Sequence, residues 1–162
     1  MLLTTTPIDC FAKKITSHPL SFYHTHTGEN LEINYPLKKS CPRSTKHKVN
    51  EFLRDFRTDE VHPIDVELLD ILCQIQLFSG STGVYEVISG YRSPATNRYL
   101  RLRSSGVARH SLHMKGKAID IRLTDVPTHR IRHIATLLRR GGVGYYPQSD
   151  FVHIDTGRFR TW

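Results

Sequence analysis

Residues 111–123 read Ser111-Leu-His-Met-Lys-Gly-Lys-Ala-Ile-Asp-Ile-Arg-Leu123 and contain the clearest strand pattern of the chain. Aliphatic side chains occupy every second position from Ile119 onward, which is the period of a half-buried strand. Asp120 has the opposite parity and therefore faces away from the aliphatic side. Gly116 lets the preceding loop turn tightly, so we expect the imidazole of His113 to converge with the carboxylate of Asp120.

The segments that follow this strand predict one helix and two further strands. The helix spans about Thr128 to Arg140 and stops at Gly141-Gly142, and the strands are Val143 to Tyr146 and Phe151 to Asp155. In the last strand Val152 and Ile154 face the core, so His153 points out of the apolar layer. If the strands that carry Asp120 and His153 are antiparallel neighbours, these two side chains lie beside each other.

The segments before residue 111 predict a hairpin, two core helices, a strand and a third helix. Leu20 to Tyr35 reads as two short strands around a turn at residues 27–30. The two core helices have apolar stripes at Val49, Phe52, Leu53 and Phe56, and at Ile64, Leu68, Ile71, Leu72 and Ile75. Residues 84–88 form a strand that ends at Ser89-Gly90, and Ser93-Pro94 begins a helix that fades by Gly106. We therefore expect an irregular segment over residues 1–19 and a single domain over residues 20–162.

Length and composition fit one globular domain of ordinary size. The chain has 162 residues, of which 38% are hydrophobic and 23% are charged, and this differs from disordered and membrane proteins. Lys plus Arg outnumber Asp plus Glu by 23 to 15, which gives a formal charge of +8. Such a charge favours anionic partners, among them nucleic acid, anionic glycopolymers and acidic peptides.

The cysteines and the first residues give weaker information. Cys10, Cys41 and Cys73 are widely spaced and support neither a zinc finger nor a disulfide framework. Cys73 lies among apolar residues and is expected in the core, whereas a Cys10–Cys41 bridge stays open. Met1-Leu-Leu-Thr4 is too short for the hydrophobic region of a signal peptide, and no stretch reaches transmembrane length. We therefore expect no membrane span and an export route that these residues do not encode.

Three polar residues form a candidate zinc site. Zinc favours nitrogen and oxygen ligands in a tetrahedron, and a catalytic site uses three protein ligands and one open position. His113, Asp120 and His153 are such a set. Because the chain contains ten histidines, chance proximity to a carboxylate is the alternative on residue types alone.

Three short strings strengthen the zinc hypothesis. They are Ser89-Gly-Tyr-Arg-Ser93, Ser111-x-His113-x-x-Gly116-x-Ala118-x-Asp120 and Asp150-Phe-Val-His153. In this order they resemble the signature of zinc D-alanyl-D-alanine peptidases and their murein endopeptidase relatives. The resemblance implies one zinc ion per chain, held by His113, Asp120 and His153. It also implies an α+β fold like that of hedgehog and D-alanyl-D-alanine peptidase domains, in which a small antiparallel sheet carries the zinc on one face and helices pack on the other.

The group that transfers protons is the main departure from that family. Related carboxypeptidases have a glutamate three residues before the last zinc histidine, or a histidine two residues before it. Here these positions hold Asp150 and Phe151. The resemblance therefore implies Asp150 as the general base, as in some similar phage endolysins, and leaves His110 as the other group to test.

Three further residues are candidates for the same site. Arg92 lies in a Gly-containing loop after a strand, where a guanidinium can bind a substrate carboxylate or stabilise an oxyanion. Ser111 precedes a predicted ligand by two residues and can hydrogen-bond the substrate or cap a loop. Asp155 shares the face of His153 and can orient its imidazole, although a structural hydrogen bond explains it equally well.

These observations predict a murein endopeptidase that hydrolyses peptide cross-links of bacterial peptidoglycan with the help of zinc, in the periplasm or cell envelope. The expected partners are peptidoglycan peptides, whose anionic groups suit a protein of charge +8. A catalytically inactive peptidoglycan-binding module is the first alternative. A basic nucleic-acid-binding protein is the second, but no recognised nucleic-acid-binding module accompanies the charge, so no nucleic acid is expected. The sequence does not show which bond is cleaved or whether the activity is that of an endopeptidase or a carboxypeptidase. It also leaves the oligomeric state open.

Overall fold

The computed structural model describes residues 17–36, 41–104 and 106–162, which form seven strands and four α-helices. The strands are β1 (Ser17–His24), β2 (Asn30–Pro36), β3 (Tyr85–Ser89), β4 (Ala118–Leu123), β5 (Gly142–Tyr146), β6 (Phe151–Asp155) and β7 (Arg160–Thr161). The helices are α1 (Arg43–Phe52), α2 (Val66–Ser79), α3 (Pro94–Arg101) and α4 (Thr128–Leu138), and a short 3₁₀ helix covers Leu112–Lys115.

All of these strands belong to one sheet, in the order β2-β1-β3-β4-β6-β5-β7. Neighbouring strands are antiparallel except for the pairs β1–β3 and β5–β7, which are parallel. The predicted α+β class is therefore confirmed. The sheet is wider than the small one expected, because the β1–β2 hairpin joins one edge through β3 and β7 joins the other through β5.

Helix α2 shows how the helices are anchored in the core. Asp65 accepts a hydrogen bond from the backbone N–H of Glu67 and caps the first turn, and Gly80 ends the helix with φ 69°. All leucine and isoleucine side chains of α2 except Leu77 are buried in the apolar cluster that joins the helices to the sheet. Burial of each such side chain contributes about 1.5–3 kcal/mol, so α2 is a major part of the core.

Helix α1 ends earlier than its apolar stripe predicts. The pattern continues to Phe56, but the helix ends at Phe52. Asp55 is buried, and its carboxylate accepts hydrogen bonds from the backbone N–H groups of Arg57 at 3.0 Å and Ser93 at 2.8 Å. Such local side-chain bonding competes with helical hydrogen bonds. The chain therefore leaves the helix before the stripe is complete.

Some predictions concern the first residues of the chain. β1 begins at Ser17, inside the segment 1–19 that was expected to be irregular, and residues 1–16 lie outside the described ranges. Cys10 also lies outside the described ranges, so the possible Cys10–Cys41 bridge lies outside them as well. Cys73 is buried in the core as predicted. Among the described residues no helix combines the length and the apolar character needed to cross a membrane.

Candidate metal centre

Two central strands bring Asp120 and His153 together. β4 and β6 are antiparallel, and Asp120 pairs in register with His153, so both side chains lie on the same face of the sheet. His113 approaches them from the 3₁₀ helix, which Gly116 ends with φ 62°. A side chain at Gly116 would also collide with the backbone oxygen of Pro63. Glycine is therefore required for the tight turn between the two predicted ligands.

The three donor atoms form a triangle. His113 Nε2 lies 3.2 Å from His153 Nδ1 and 3.3 Å from Asp120 Oδ1, and Asp120 Oδ1 lies 2.8 Å from His153 Nδ1. Donors placed tetrahedrally at about 2.0–2.1 Å from zinc are about 3.3–3.4 Å apart. The two edges at His113 are close to this value and the edge between Asp120 and His153 is shorter, so the triangle is close in size to one face of a tetrahedral zinc site.

The second ring nitrogen of each histidine is held by an oxygen acceptor. His113 Nδ1 lies 2.7 Å from the carbonyl oxygen of Gly90, and His153 Nε2 lies 3.0 Å from Asp155 Oδ2. Because these oxygens require N–H donors, the ring nitrogens left to bind a metal are His113 Nε2 and His153 Nδ1, and both face Asp120. Electron-rich atoms that face one another at this distance repel unless a cation or a proton lies between them. The chemistry of the donor set therefore fits a metal ion.

The protonation of the three groups follows from burial and their mutual contacts. Burial lowers the pKa of His113. Burial also disfavours the charged form of His153, but its hydrogen bonds with Asp120 and Asp155 outweigh this and raise its pKa to about 9. Without a metal, His153 Nδ1 therefore carries a proton at neutral pH, which a bound cation would replace. Burial alone would raise the pKa of Asp120, yet the two imidazoles hold it well below its usual range. Asp120 is thus a carboxylate at neutral pH, as a metal ligand must be.

Arg92 contacts the second carboxylate oxygen of Asp120. Its Nη2 lies 2.6 Å from Asp120 Oδ2, and its Nε donates to Ser89 Oγ at 2.8 Å. One oxygen of Asp120 therefore faces the histidines while the guanidinium holds the other. Only 15% of the Arg92 side chain is exposed, so Arg92 is a fixed part of the site and not a solvated surface residue.

The triangle lies in a cleft of about 520 Å³. Arg92, His110 and Ser111 line this cleft together with the three donors, as the sequence analysis expects for residues of one site. Ser111 Oγ accepts a hydrogen bond from the backbone N–H of His113 at 3.3 Å. Its hydroxyl therefore caps the 3₁₀ helix. Of the two roles predicted for Ser111, capping and substrate binding, the structure contains a contact for capping.

Aromatic side chains form another part of the cleft. The Trp162 ring lies 5.3 Å from the His153 ring, and its Nε1 donates to the hydroxyl of Tyr146 at 2.9 Å. Phe151 stacks on Tyr146 at 4.5 Å. The three rings line the cleft, so a bound substrate meets an apolar surface beside the polar donors.

Asp150 is not among the residues that line this cleft. It has φ 48° in the turn before β6, and 62% of its side chain is exposed. Its Oδ1 accepts a hydrogen bond from Thr128 Oγ1, at the first residue of α4, at 2.8 Å. Asp150 lines a separate groove with Arg122 and Asp125. The structure therefore does not bring this predicted base to the predicted ligands, because the left-handed turn directs its carboxylate toward α4.

Arg160 and Trp162 belong to the site although the sequence analysis did not single them out. The strand that positions them, β7, has two residues, which is too short for a recognisable period of two. Their only signal is an arginine and a tryptophan two positions apart, shortly after the strand of His153. The guanidinium of Arg160 contacts Asp155, and its Cζ lies 4.8 Å from the centre of the Trp162 ring.

Fold and site together define a mixed α+β protein with a His–Asp–His cluster in a cleft. A family model described as "Peptidoglycan L,D-endopeptidase MepK" matches residues 12–162. The chain belongs to this family, so the resemblance to murein endopeptidases is confirmed.

Individual relatives agree with the family model. The chain is 44% identical to a "Probable peptidoglycan L,D-endopeptidase MepK" of Haemophilus influenzae over 144 residues, 88% of this chain and 77% of that protein. It is 41% identical to the "Peptidoglycan L,D-endopeptidase MepK" of Escherichia coli K12 over 158 residues, 96% of this chain and 87% of that protein. A protein of the same name from Shigella flexneri gives the same identity and coverage. No solved structure matches the chain.

Proposed function

We propose that this protein is a zinc-dependent murein endopeptidase that hydrolyses peptide cross-links of bacterial peptidoglycan and so remodels the cell wall. The observation that carries the proposal is the triangle of His113, Asp120 and His153 donors inside an open cleft. Membership of the MepK family and relatives named as peptidoglycan endopeptidases support the substrate class. The proposed catalytic unit is a single domain over residues 20–162, acting in the periplasm or cell envelope, where this polymer lies.

The three donors would hold one zinc ion. When bound, zinc supplies Lewis acidity, which makes water a better nucleophile at neutral pH and polarises a carbonyl. The chain's part is to keep the donors fixed. The carbonyl oxygen of Gly90 contacts His113, and Arg92 holds the free oxygen of Asp120. A site fixed in this way needs little rearrangement before it binds metal.

Arg92 is proposed to bind the substrate as well as Asp120. Its guanidinium lines the cleft, where Nε donates to Ser89 and Nη2 donates to Asp120. A planar, permanently charged fork in this position can donate to a substrate carboxylate or to the oxygen on which negative charge develops. Ser111, which also lines the cleft, is proposed as a second contact for the substrate.

Proton transfer requires a group that reaches the cleft. His110 lines the cleft, whereas Asp150 is held by Thr128 in a separate groove. We therefore assign the first test of general acid–base catalysis to His110 and the second to Asp150. An imidazole has one ring nitrogen that can accept a proton and one that can donate it, which suits both acceptance of a proton from water and its delivery to the leaving amine.

The deciding experiment is digestion of purified sacculi with the zinc-loaded protein, followed by mass spectrometry of the released muropeptides. We expect soluble products whose masses show that a peptide bond of a cross-link has been hydrolysed. The matched control is His113→Ala, which removes one donor and should release nothing. A protein that sediments with sacculi and releases no product would instead be a binding module. Binding to nucleic acid that falls steeply with salt and persists after zinc removal would favour the other alternative.

A further inference from the structure

Asp155 is the most completely enclosed carboxylate next to the metal centre. It is the last residue of β6, and its exposed fraction is 0%. Its Oδ1 accepts hydrogen bonds from the backbone N–H groups of Gly142 at 3.0 Å and Gly157 at 2.8 Å. Its Oδ2 lies 3.0 Å from His153 Nε2. The carboxylate of Asp155 thus connects the backbone at Gly142 and at Gly157 with the imidazole of His153.

Arg160 completes the enclosure. Its Nη1 donates to Asp155 Oδ1 at 3.1 Å and its Nη2 donates to Oδ2 at 2.7 Å, a two-point contact between guanidinium and carboxylate. Such paired bonds fix orientation as well as charge. Gly142 is required for this arrangement, because a Cβ there would collide with the carboxylate of Asp155 and the guanidinium of Arg160.

Every contact of Asp155 named above comes from a donor. A carboxylate oxygen has no hydrogen to donate, so its contact with His153 requires an N–H at Nε2, and Nδ1 is the ring nitrogen left to bind a metal. Nδ1 is the atom that lies 3.2 Å from His113 Nε2 and 2.8 Å from Asp120 Oδ1. The contact of Asp155 with Nε2 therefore determines that Nδ1, on the other side of the ring, is the nitrogen that can bind a metal.

We propose that Asp155 and Arg160 are positioning residues that fix the ring orientation and tautomer of His153, so that Nδ1 is the metal-binding atom. Arg160 acts through Asp155, and Asp155 acts through His153. The inference rests on the zinc binding proposed above. If the inference is correct, the two-residue strand β7 contributes to metal affinity, because it holds Arg160 against Asp155.

The substitution Asp155→Asn tests this with almost no change in size. An amide offers one acceptor oxygen and one NH₂ group, so one side of the side chain must present hydrogens to donors. If the NH₂ group faces His153, Nε2 must become the acceptor and the proton moves to Nδ1. If it faces Gly142 and Gly157, it opposes their N–H groups and the side chain must shift. Loss of an orienting partner of this kind lowers metal affinity by about 10–100-fold.

The measurement is the dissociation constant of Zn²⁺, obtained by competition with a chromogenic chelator on the full-length metal-free protein. The matched control is Asp65→Asn, the same change at a carboxylate that accepts a hydrogen bond from Thr156 Oγ1 at 2.8 Å and does not line the cleft. We expect Asp155→Asn to bind Zn²⁺ about 10–100-fold more weakly and Asp65→Asn to bind as the unmodified protein does. Thermal unfolding of the metal-free variants separates a loss of affinity from a loss of fold.

Arg160→Lys provides a second variant if Asp155→Asn does not fold. Lysine keeps the charge near Asp155 but loses the two-point contact, so affinity for Zn²⁺ should fall by a smaller factor. In the zinc-loaded protein, long-range ¹H–¹⁵N spectra of the imidazoles should place the proton of His153 on Nε2. Wild-type affinity in whichever variant folds, or a proton on Nδ1 of His153 in the zinc-loaded unmodified protein, would overturn the inference. Absence of Zn²⁺ binding by the unmodified protein would instead refute the proposed function.

Discussion

Asp120 Oδ1 and His153 Nδ1 lie 2.8 Å apart because their residues are direct partners on the antiparallel strands β4 and β6. The two strands are in the middle of the sheet, so the position of each side chain is fixed by backbone hydrogen bonds on both sides. The contact between these two residues is therefore a property of strand register. A change that shifted the register by one residue would turn one of them to the opposite face.

The first prediction is that the purified protein binds one zinc ion per chain and that Asp120→Ala loses it. Removal of one of three protein donors leaves two imidazoles, which form an incomplete zinc site. Elemental analysis after dialysis against a weak chelator measures the ratio. His133→Ala, which changes an exposed histidine of α4, should retain the full zinc content. Failure of the unmodified protein to take up zinc on reconstitution would contradict the assignment.

The second prediction concerns Arg92→Lys. Lysine preserves the charge beside Asp120 but cannot donate to Ser89 and Asp120 at once while facing the substrate. Zinc content should stay, and turnover of cross-linked muropeptides should fall by about 10²-fold, the usual effect of losing one stabilising donor. Arg103→Lys, on an exposed residue, serves as the control. Unchanged turnover in Arg92→Lys would limit Arg92 to a structural contact.

The third prediction separates the two candidates for proton transfer. Asp150→Asn should keep near-normal turnover, because the carboxylate is exposed outside the cleft and an amide oxygen can still accept from Thr128. His110→Ala should lower turnover by about 10²–10⁴-fold if its imidazole transfers the proton. Turnover and zinc content are measured for both variants. The reverse result would return the role to Asp150 and require its turn to reorganise when substrate binds.

The fourth prediction concerns acid sensitivity away from the cleft. His24 is fully buried beside Phe52 and Phe56, and burial, followed by repulsion from His26, lowers its pKa from 6.5 to about 4. Its neutral form is therefore favoured in the folded state. Below pH 6.5 the unfolded chain binds a proton that the folded chain does not, so the free energy of unfolding falls until the pH reaches about 4.

Replacement of His24 by Phe removes this titrating group. Urea unfolding of the metal-free protein at pH 7 and pH 5 should show a smaller loss of stability for His24→Phe than for the unmodified chain. His133→Gln, at an exposed position, should not change the difference. Equal losses in the unmodified chain and His24→Phe would mean that His24 is already protonated in the folded state or is accessible to water.

Much of the fold follows from local sequence patterns. The parity of apolar residues predicts β4 and β6 and the face on which Asp120 and His153 lie, since every second residue of a strand shares a face. Gly116 predicts the turn that returns His113 to the same place. The convergence of these three residues is therefore predictable from strand period, one glycine and the resemblance to a known family.

Other features depend on contacts that no local pattern encodes. α1 ends at Phe52, where Asp55 accepts hydrogen bonds from the backbone N–H of the neighbouring Arg57 and from that of Ser93, which is distant in sequence. Asp150 leaves the cleft because of its left-handed backbone conformation and its contact with Thr128. Arg160 enters the site through a strand too short to have a period. The contact of Asp55 with Ser93, that of Asp150 with Thr128 and the pairing of β7 with β5 all join residues distant in sequence, so neither spacing nor propensity contains them.

Trp162 is the only tryptophan of the sequence, and it lines the cleft 5.3 Å from the ring of His153. All indole fluorescence of this sequence therefore originates beside the candidate metal centre, with no background from a second tryptophan. A paramagnetic ion such as Co²⁺ bound beside His153 should quench this emission, and a peptide that covers the half-exposed ring should shift it to shorter wavelength. Metal and substrate can thus be followed optically in the unmodified chain, without an attached dye.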